Sequence, residues 1–596
     1  MSALVDPGRF PAACAREKVC CAPVHGTTSL RALRLGHAAL VLAAAASLSS
    51  SARADEPPVT DHEIPKDLDR LILETGRAPV PPAEADLVRF QIHGEYQGRY
   101  QVQRSFPLVP TTTAINARPG LVEESIGQNQ FASHWLRVTP RLQLKQAVEI
   151  VGQVDVVTGL LFGDKARDTW PDMAPRDQAN GFSSIEPRSL YAVLHTPVGL
   201  FRVGQQPTHW GMGILANDGD HPTLFGDYRY GSINERILFA TKPGGKDSHL
   251  TIAVAGDLVY RDNIAALRRG DHAYQGVLAA LYERGRNQLG VYAVYRNQEN
   301  DKTSGQAYAP YTESLEVGVL DASGRFATKL PSTDAFLFGS FEAAAIFGST
   351  NILRTHDQVL DGARTLVRSY GGAAQIGFVH VERASKRLGF SDEGARQKDI
   401  VQYGDLVAAV EIGYARGDAD PYDNVQKRFV FDPNHKIGLI LFDEVMRWQT
   451  ARASAAAQDP LLSNASRPPP GVDLLPSNGG VFGAQYINPT GIWRPRPWLD
   501  LKAGMVVAQA TADVTDPYII ATTGSYLNSR KGSPKKRDLG LELDAGFEAR
   551  VPLDYGFTAT LGAQGGVLFP GGALENAVGE RMKTPWLALG RFGFLF

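Results

Sequence analysis

The sequence predicts an all-β protein, a transmembrane antiparallel β-barrel of about 18 strands, with 16 as the alternative count. Apolar and polar residues alternate along many long segments, and the connections between these segments are alternately short and long. The composition agrees. Of the 596 residues, 43% are hydrophobic and 21% charged, and no apolar run in the body of the chain reaches the ~18 residues of a helical span.

The overall charge and hydrophobic content exclude two further classes of protein. A formal net charge of −2 offers no general argument for nucleic acid as a partner. The high hydrophobic fraction argues against a mostly disordered chain. A folded protein in contact with membrane lipid fits both observations.

Residues 1–54 have the pattern of a leader with a secretory signal peptide. Arg31 and Arg34 supply the positive region, residues 38–48 form a mostly apolar stretch, and residues 52–54 make a small-x-small cleavage site. All three cysteines lie in this leader. After cleavage we therefore expect neither disulfides nor a cysteine-ligated metal.

Residues 55–88 are rich in proline and charge, and we interpret them as a periplasmic lead-in to a barrel over residues 89–596. From Arg89 to Gln103 the alternation is unbroken: even-numbered residues are apolar or glycine, and odd-numbered ones are polar. A period of two over this length predicts a long strand with one apolar and one polar face. Eighteen such strands are predicted, starting near residues 89, 134, 148, 189, 199, 233, 249, 273, 288, 313, 335, 369, 405, 480, 497, 537, 556 and 585.

The connections test this count. Starting with the second, alternate connections are mostly short, whereas the others are long and turn-rich, as at 104–133, 207–232 and 415–479. Short periplasmic turns and long external loops are typical of outer-membrane barrels. The exception is the long connection from Arg383 to Gly404 on the short side, so either this turn carries an insertion or the count slips there.

A soluble sandwich, solenoid or propeller is the alternative fold. Sandwich strands commonly have ~5–6 residues, whereas these segments mostly run to about ten, as a tilted membrane strand requires. No repeat of fixed period favours a propeller or solenoid. The last segment alternates aromatic residues, and Phe592, Phe594 and Phe596 resemble the assembly signal of outer-membrane barrels, which predicts the barrel assembly machinery as a partner.

In such a barrel the polar parity faces the lumen, and eighteen strands enclose more space than side chains alone can fill. We therefore expect a channel. Two groups of charged residues fall on the lumen parity: basic Arg99, Arg137, Arg141, Lys145 and Arg202, and acidic Glu411, Glu542, Asp544 and Glu548. Strips of opposite charge would set a transverse field, since basic rings favour anions and acidic rings favour cations. Ordinary solvated side chains with paired charges are the alternative.

Two long loops contain further candidate residues. The 207–232 loop carries His209, Asp218, Asp220 and His221, but no helical H-x-x-x-H spacing supports a metal site, so none is expected. The 415–479 loop contains a segment from Ile437 to Ala457 in which four apolar residues recur at helical spacing, namely Ile437, Leu441, Val445 and Trp448. We interpret this segment as an amphipathic helix packed into the barrel mouth as a constriction or lid.

Three segments resemble known outer-membrane proteins. FRVGQQPTHWGMGIL (201–215) resembles the strand-loop of polysaccharide-export porins of the alginate-export type, and GVLFPGGAL (566–574) is similar to their penultimate-strand loop. FDPNHKIGLILFDEV (431–445) is similar to a set of uncharacterised large outer-membrane proteins. The resemblance implies basic pore residues for an acidic polymer, which the basic group above would fit. The family's G-R-Q motif reads Gly204-Gln205-Gln206 here, so alginate itself is not expected.

Together these patterns predict a porin-like channel in the outer membrane of a Gram-negative bacterium. It would contact outer-membrane lipid, bind no cofactor and no nucleic acid, and pass small hydrophilic solutes or acidic oligosaccharides. A structural or adhesive barrel with a loop-blocked lumen is the alternative. An enzyme is disfavoured, because His93, His134 and His195 fall in predicted strands without a neighbouring nucleophile motif.

Overall fold

The computed structural model describes residues 88–106, 128–144, 147–163, 185–226, 231–245, 247–303, 312–331, 333, 335–352, 364–381, 404–420, 423–450, 477–496, 498–516, 519–520, 523–553 and 557–596. The predicted leader and lead-in lie outside the described residues except for Val88. So do Lys145 and, apart from Gly404, the connection that follows Arg383.

Nineteen strands form one sheet in the described chain. Their bounds are β1 Val88–Arg104, β2 Gln128–Leu144, β3 Val148–Gly163, β4 Glu186–Thr196, β5 Gly199–Pro207, β6 Ile233–Thr241, β7 Leu250–Arg261, β8 His272–Arg284, β9 Asn287–Thr303, β10 Thr312–Lys329, β11 Ala335–Thr350, β12 Thr365–Val381, β13 Gly404–Ala415, β14 Val425–Gln426, β15 Ala484–Arg496, β16 Leu499–Ala510, β17 Asp538–Pro552, β18 Thr558–Pro570 and β19 Trp586–Leu595. Two-residue β14 pairs parallel to β12, on the sheet but outside the barrel ring.

The other eighteen strands pair antiparallel with their neighbours and close into a barrel, because β1 pairs with both β2 and β19. This confirms the fold class and the count of eighteen. The largest difference from the predicted starts is at β2, which begins at Gln128 rather than near residue 134. The first residues of β2, 128–133, begin with polar side chains on both parities, so the alternation of apolar and polar residues is weak there.

The two faces of the strands differ as the alternation predicts. On β1, Phe90 and Ile92 are 62% and 50% exposed on the outer surface, whereas Glu95 and Gln103 are buried inside. An apolar outer surface suits lipid, and ring closure leaves no unpaired strand edge in the membrane. The chain is therefore an outer-membrane β-barrel in architecture, with the polar parity facing the lumen. Among the described residues, no helix is long and apolar enough to cross a membrane.

The barrel closes beside Phe596. The backbone N–H of Gly94 donates to the carbonyl of Phe596 at 2.8 Å, and the N–H of Phe596 donates back at 3.0 Å. The Phe596 ring lies over Gly94 so closely that a Cβ there would be 2.2 Å from a ring carbon. The missing side chain of Gly94 is what lets this ring pack flat on β1.

Replacing Gly94 by valine should therefore weaken closure. The added methyl groups must displace the Phe596 ring, and overpacking of this kind costs about 1–3 kcal/mol. We expect a lower urea midpoint for unfolding of the barrel in detergent, followed by tryptophan fluorescence. Gly256→Val is the matched control, because Gly256 lies on β7 and has no atom within 4 Å of a built Cβ. Equal midpoints for the two variants would contradict the role of this contact.

Candidate functional site: two loops inside the barrel

Two connections fold into the lumen. Loop A is residues 208–226, between β5 and β6, and loop B is residues 427–450, between β14 and β15. Loop A contacts β11 through Glu342 and β18 through Gln564, strands that lie six places from β5 in either direction around the ring. Loop B reaches from its own strands to Asn263, between β7 and β8. Both loops therefore cross the interior.

Glu342 holds loop A against one wall. It is fully buried on β11, and its carboxylate accepts the backbone N–H groups of Met212 and, at 3.3 Å, Ile214. Gly211 makes this approach possible: its φ of +59° is left-handed, and a Cβ there would lie 2.5 Å from a Glu342 oxygen. Trp210 adds a second contact by donating its indole N–H to Asp321 on β10 at 3.1 Å.

An ion-pair network holds loop A to the opposite wall. The Arg137 guanidinium contacts Asp155 at 2.7 Å and Asp220 of loop A at 2.6 Å. Arg188 contacts the same Asp220 carboxylate at 2.7 Å and donates to the carbonyl of Asp218. Both arginines are buried. Buried charges are tolerable only when matched in this way, so the network docks the loop.

Glu542 holds loop B against the wall, as Glu342 holds loop A. From β17 its fully buried carboxylate accepts the backbone N–H groups of Leu439, Ile440 and Leu441, the last two at 2.7 Å. Gly438 has a φ of +68°, and a Cβ there would lie 2.6 Å from the carboxylate. A π-helix follows over Leu441–Met446. Of the helix predicted from Ile437 to Ala457, residues 451–457 lie outside the described chain.

The two loops also contact each other. The N–H of Asp432 donates to the carbonyl of Ile214 at 2.7 Å, and the Thr223 hydroxyl donates to the carbonyl of Lys436 at 2.7 Å. The His435 ring lies between loop A and the wall. Its Nδ1 is 2.9 Å from the carbonyl oxygen of Met212, and its Nε2 is 2.8 Å from the carboxylate of Glu411 on β13. Burial alone would lower the pKa of His435, but the Glu411 carboxylate outweighs it and the pKa is raised. When it is protonated, the ring can donate to both oxygens.

An apolar core joins loop B to the wall. The side chains of Leu439, Ile440, Leu441, Phe442 and Val445 are buried, and they belong to one cluster with lumen-facing wall residues. The wall members include Tyr486, Val506, Leu568, Leu587 and Leu589. Apolar side chains on the lumen parity of a barrel have no reason to face water, and here loop B covers them. The two loops thus form a packed layer across part of the lumen.

A cavity lies on each side of this layer. The larger, about 450 Å³, is lined by turn-side wall residues such as Arg286 and Arg325 and by loop residues from His209 to Phe225. The smaller, about 280 Å³, is lined by Asn263 and Ile352 near the long-loop end. Each has a volume that would hold a small molecule.

The charged residues predicted to face the lumen lie in several different environments. Arg137, Glu411 and Glu542 meet at the loop layer, as described. Arg141 pairs with Glu149 at 2.9 Å, and the Arg202 guanidinium lies 5.2 Å from the centre of the Tyr191 ring. Glu548 contacts Lys502 and Arg550, both at 3.0 Å. Asp544 is buried near loop B, and Arg99 lies opposite Arg591 across the β1–β19 seam. Where described, these charges are spread over the wall rather than gathered in one ring.

Sequence reasoning missed Glu342 and Asp321. A signal was present, because Glu342 interrupts a run of mostly apolar lumen-parity residues on β11: Phe336, Phe338, Ser340, Glu342, Ala344 and Ile346. A lone carboxylate among apolar side chains facing inward indicates that a donor must come to meet it.

Loop A also brings together donors suited to a metal. One donor atom each from His209, Asp218 and His221 lies within 4.8 Å of the others. Burial lowers the pKa of His209 to about 4 although Asp218 opposes the shift, so this ring is neutral at pH 7.

Comparisons with known proteins give only distant similarity. No protein-family model matches the chain, and no curated protein is similar to it in sequence. Three solved structures show how distant the structural similarity is. A BenF-like porin from Pseudomonas fluorescens Pf-5 is 8% identical with a TM-score of 0.43, over 85% of this chain and 98% of that one. OccK2 of Pseudomonas aeruginosa, solved with glucuronate, is 8% identical with a TM-score of 0.38, over 85% and 95%. OmpT of Vibrio cholerae, lacking its loop L8, is 9% identical with a TM-score of 0.33, over 85% and 100%. Similarity at this level does not extend to solutes or to individual residues.

Glu542→Gln should release loop B. The amide can accept through only one oxygen, so its NH₂ group would face backbone N–H donors that the carboxylate now satisfies. Hydrogen bonds to a charged group contribute about 1.5–3 kcal/mol each. We expect chymotrypsin to cut within residues 428–450 at least ~10-fold faster than in the parent.

Glu149→Gln is the control for this experiment, since Glu149 faces the lumen but pairs with Arg141 of the wall. Unchanged cleavage in Glu542→Gln, or equal acceleration in both variants, would show that Glu542 does not hold the loop.

Proposed function

We propose that this protein is a narrow, porin-like outer-membrane channel for single small hydrophilic solutes, with the layer formed by loops A and B as its filter. The observation that carries the proposal is the division of the lumen: one chamber of about 450 Å³ and one of about 280 Å³ lie on opposite sides of the same layer. In the part of the barrel that the structure describes, the wide eighteen-strand interior thus contains chambers that fit one small molecule.

Within that class we propose a preference for anions. The larger chamber is lined by the basic side chains of Arg286 and Arg325 and by the carboxylates of Asp220 and Glu411, while Lys436, also in the lining, pairs with Asp443. Asp220 is matched by two buried arginines, and Glu411 accepts from His435 and from Tyr486 at 2.5 Å. The negative charges of the lining are thus held by their own partners, which supports entry of an acidic solute.

The size of the chambers bears on the alginate-export resemblance. A polymer needs a continuous groove for several sugar units, whereas a packed layer between two small chambers favours one unit at a time. We therefore propose a small acid rather than an acidic oligosaccharide, and a transport role rather than catalysis.

A closed structural or adhesive barrel is the second candidate. The apolar cluster that joins loop B to Val506, Leu568 and Leu587 favours it, because buried side chains fill this part of the lumen. Conduction separates the two candidates. In planar bilayers we expect discrete steps well below those of a loop-free eighteen-strand barrel, and folded protein that gives no steps would leave the closed scaffold as the function.

Arg325→Gln should reduce anion selectivity in the same bilayers. A unit charge about 4 Å from a passing ion is worth ~1 kcal/mol in water, so the chloride-to-potassium permeability ratio should fall by up to about five-fold. The readout is the reversal potential under a KCl gradient.

Arg496→Gln is the matched control, since Arg496 is exposed at the turn end of β15 and its guanidinium donates to the carbonyl of Pro495 at 3.0 Å. A parent channel that favours cations, or an Arg325→Gln channel with unchanged selectivity, would contradict the preference for anions.

A further inference from the structure

Loop A carries a group of metal-ligand side chains that the channel proposal does not use. We propose that His209, Asp218 and His221 bind a divalent transition metal ion, with Zn²⁺ as the representative, at the edge of the larger lumenal chamber. This inference concerns metal binding alone and does not depend on the solute or on conduction.

The distances fit a tetrahedral ion. Zn–N and Zn–O bonds of ~2.0–2.2 Å place two ligands of one Zn²⁺ about 3.4 Å apart. Asp218 Oδ1 lies 3.0 Å from His221 Nδ1 and 3.6 Å from His209 Nδ1. The two imidazole rings have centroids 4.4 Å apart, and all three donors fall within 4.8 Å of one another. Small side-chain rotations would complete the geometry.

A second observation points to a missing ligand. Nδ1 of His209 is buried and has no hydrogen-bond partner in the described chain, although it faces the Asp218 carboxylate. A buried nitrogen left without a hydrogen bond costs free energy. A metal bound to this nitrogen and to Asp218 would remove that cost.

The loop backbone holds the donors in place. The N–H of Asp220 donates to Asp218 Oδ1 at 2.9 Å, which orients the carboxylate. The Asn217 side chain accepts from Gly219 N at 2.9 Å and donates to Gly213 O at 3.2 Å. Gly213 has a φ of +77°, and a Cβ there would lie 3.0 Å from His209 Cε1. Supporting contacts of this kind orient metal ligands and sustain their affinity.

Ligand type and exposure define the class of ion. Two imidazoles and one carboxylate suit Zn²⁺ and its neighbours rather than Ca²⁺ or Mg²⁺, which prefer oxygen. Asp220 is not part of the set, because Arg137 and Arg188 hold its carboxylate. His221 is nearly half exposed, and both histidines line the chamber, so a fourth position faces the lumen. Three protein ligands with one open position leave room for water or a solute oxygen.

The absence of H-x-x-x-H spacing bears only on metal sites built on a helix. His209 and His221 are twelve positions apart, and a tight loop with several glycines, rather than a helical turn, brings them together.

Isothermal titration calorimetry tests the proposal, with ZnCl₂ titrated into the untagged, full-length barrel in detergent. We expect one Zn²⁺ per chain at micromolar affinity, and a loss of at least ~10-fold in affinity for His221→Ala and for Asp218→Asn. His249→Ala is the matched control, because His249 is exposed at the turn between β6 and β7, against Tyr282. It should bind like the parent.

Spectroscopy gives an independent readout. Co²⁺ added to the parent should show the visible absorption of a tetrahedral ion, and Asp218→Asn should lose it. His221→Ala removes an exposed side chain, so its fold is checked by the urea midpoint of the barrel. Absence of Zn²⁺ binding by the parent, or full affinity in correctly folded His221→Ala and Asp218→Asn, would overturn the proposal.

Discussion

The interior of this barrel depends on buried wall carboxylates that accept the backbone N–H groups of loops. Glu342 and Glu542 are both fully buried, and each meets a loop immediately after a glycine in the left-handed conformation. A carboxylate in such a place is costly unless several donors satisfy it, and a loop backbone can bring two or three at once. The same contact also satisfies loop N–H groups that no strand ladder takes up. Wall and loop therefore stabilise each other, and neither carboxylate is available to act as a simple pore charge.

Ion pairs on the opposite wall complete the docking of loop A. Asp220 receives two buried arginines, Arg137 and Arg188, so the loop is held by carboxylates of the wall on one side and by cations of the wall on the other. A loop fixed at both walls can define a chamber of constant size. Lumen charges can therefore play two roles: docking of a loop, as at Asp220, and steering of solutes, to which a charge in the chamber lining such as that of Arg325 would contribute.

The barrel was predictable from sequence, and helical spacing from Ile437 to Trp448 predicted a loop segment in the barrel mouth, but the contacts that hold the loop layer were not predictable, for a physical reason. Lipid on one face and water or polar partners on the other impose alternation within each strand, so ten residues suffice to recognise one. Even the start of β2 was misplaced only where residues 128–133 blur that alternation. Leu439 and Glu542 are in contact but lie 103 positions apart in the sequence, so their contact produces no periodic pattern within a short segment. Arg137 and Glu542 could be assigned to the lumen face, yet their partners followed only from the structure. Glu342 carried a usable signal as the one carboxylate on an inward face of apolar and small residues.

The packing of loop B bears on whether the layer moves. Leu439 to Val445 are buried against Val506, Leu568 and Leu587, and swinging the loop outward would expose these side chains to water at about 25 cal/mol per Å² of apolar surface. It would also break the three hydrogen bonds to Glu542 at the same moment. A gate needs two states of similar free energy, and this arrangement provides only one well-satisfied state. The layer is better understood as a fixed part of the fold. Selection among solutes would then come from the shape and charge of the chambers around it, and a metal held by His209, Asp218 and His221 at a chamber edge would act on that fixed geometry rather than by opening a lid.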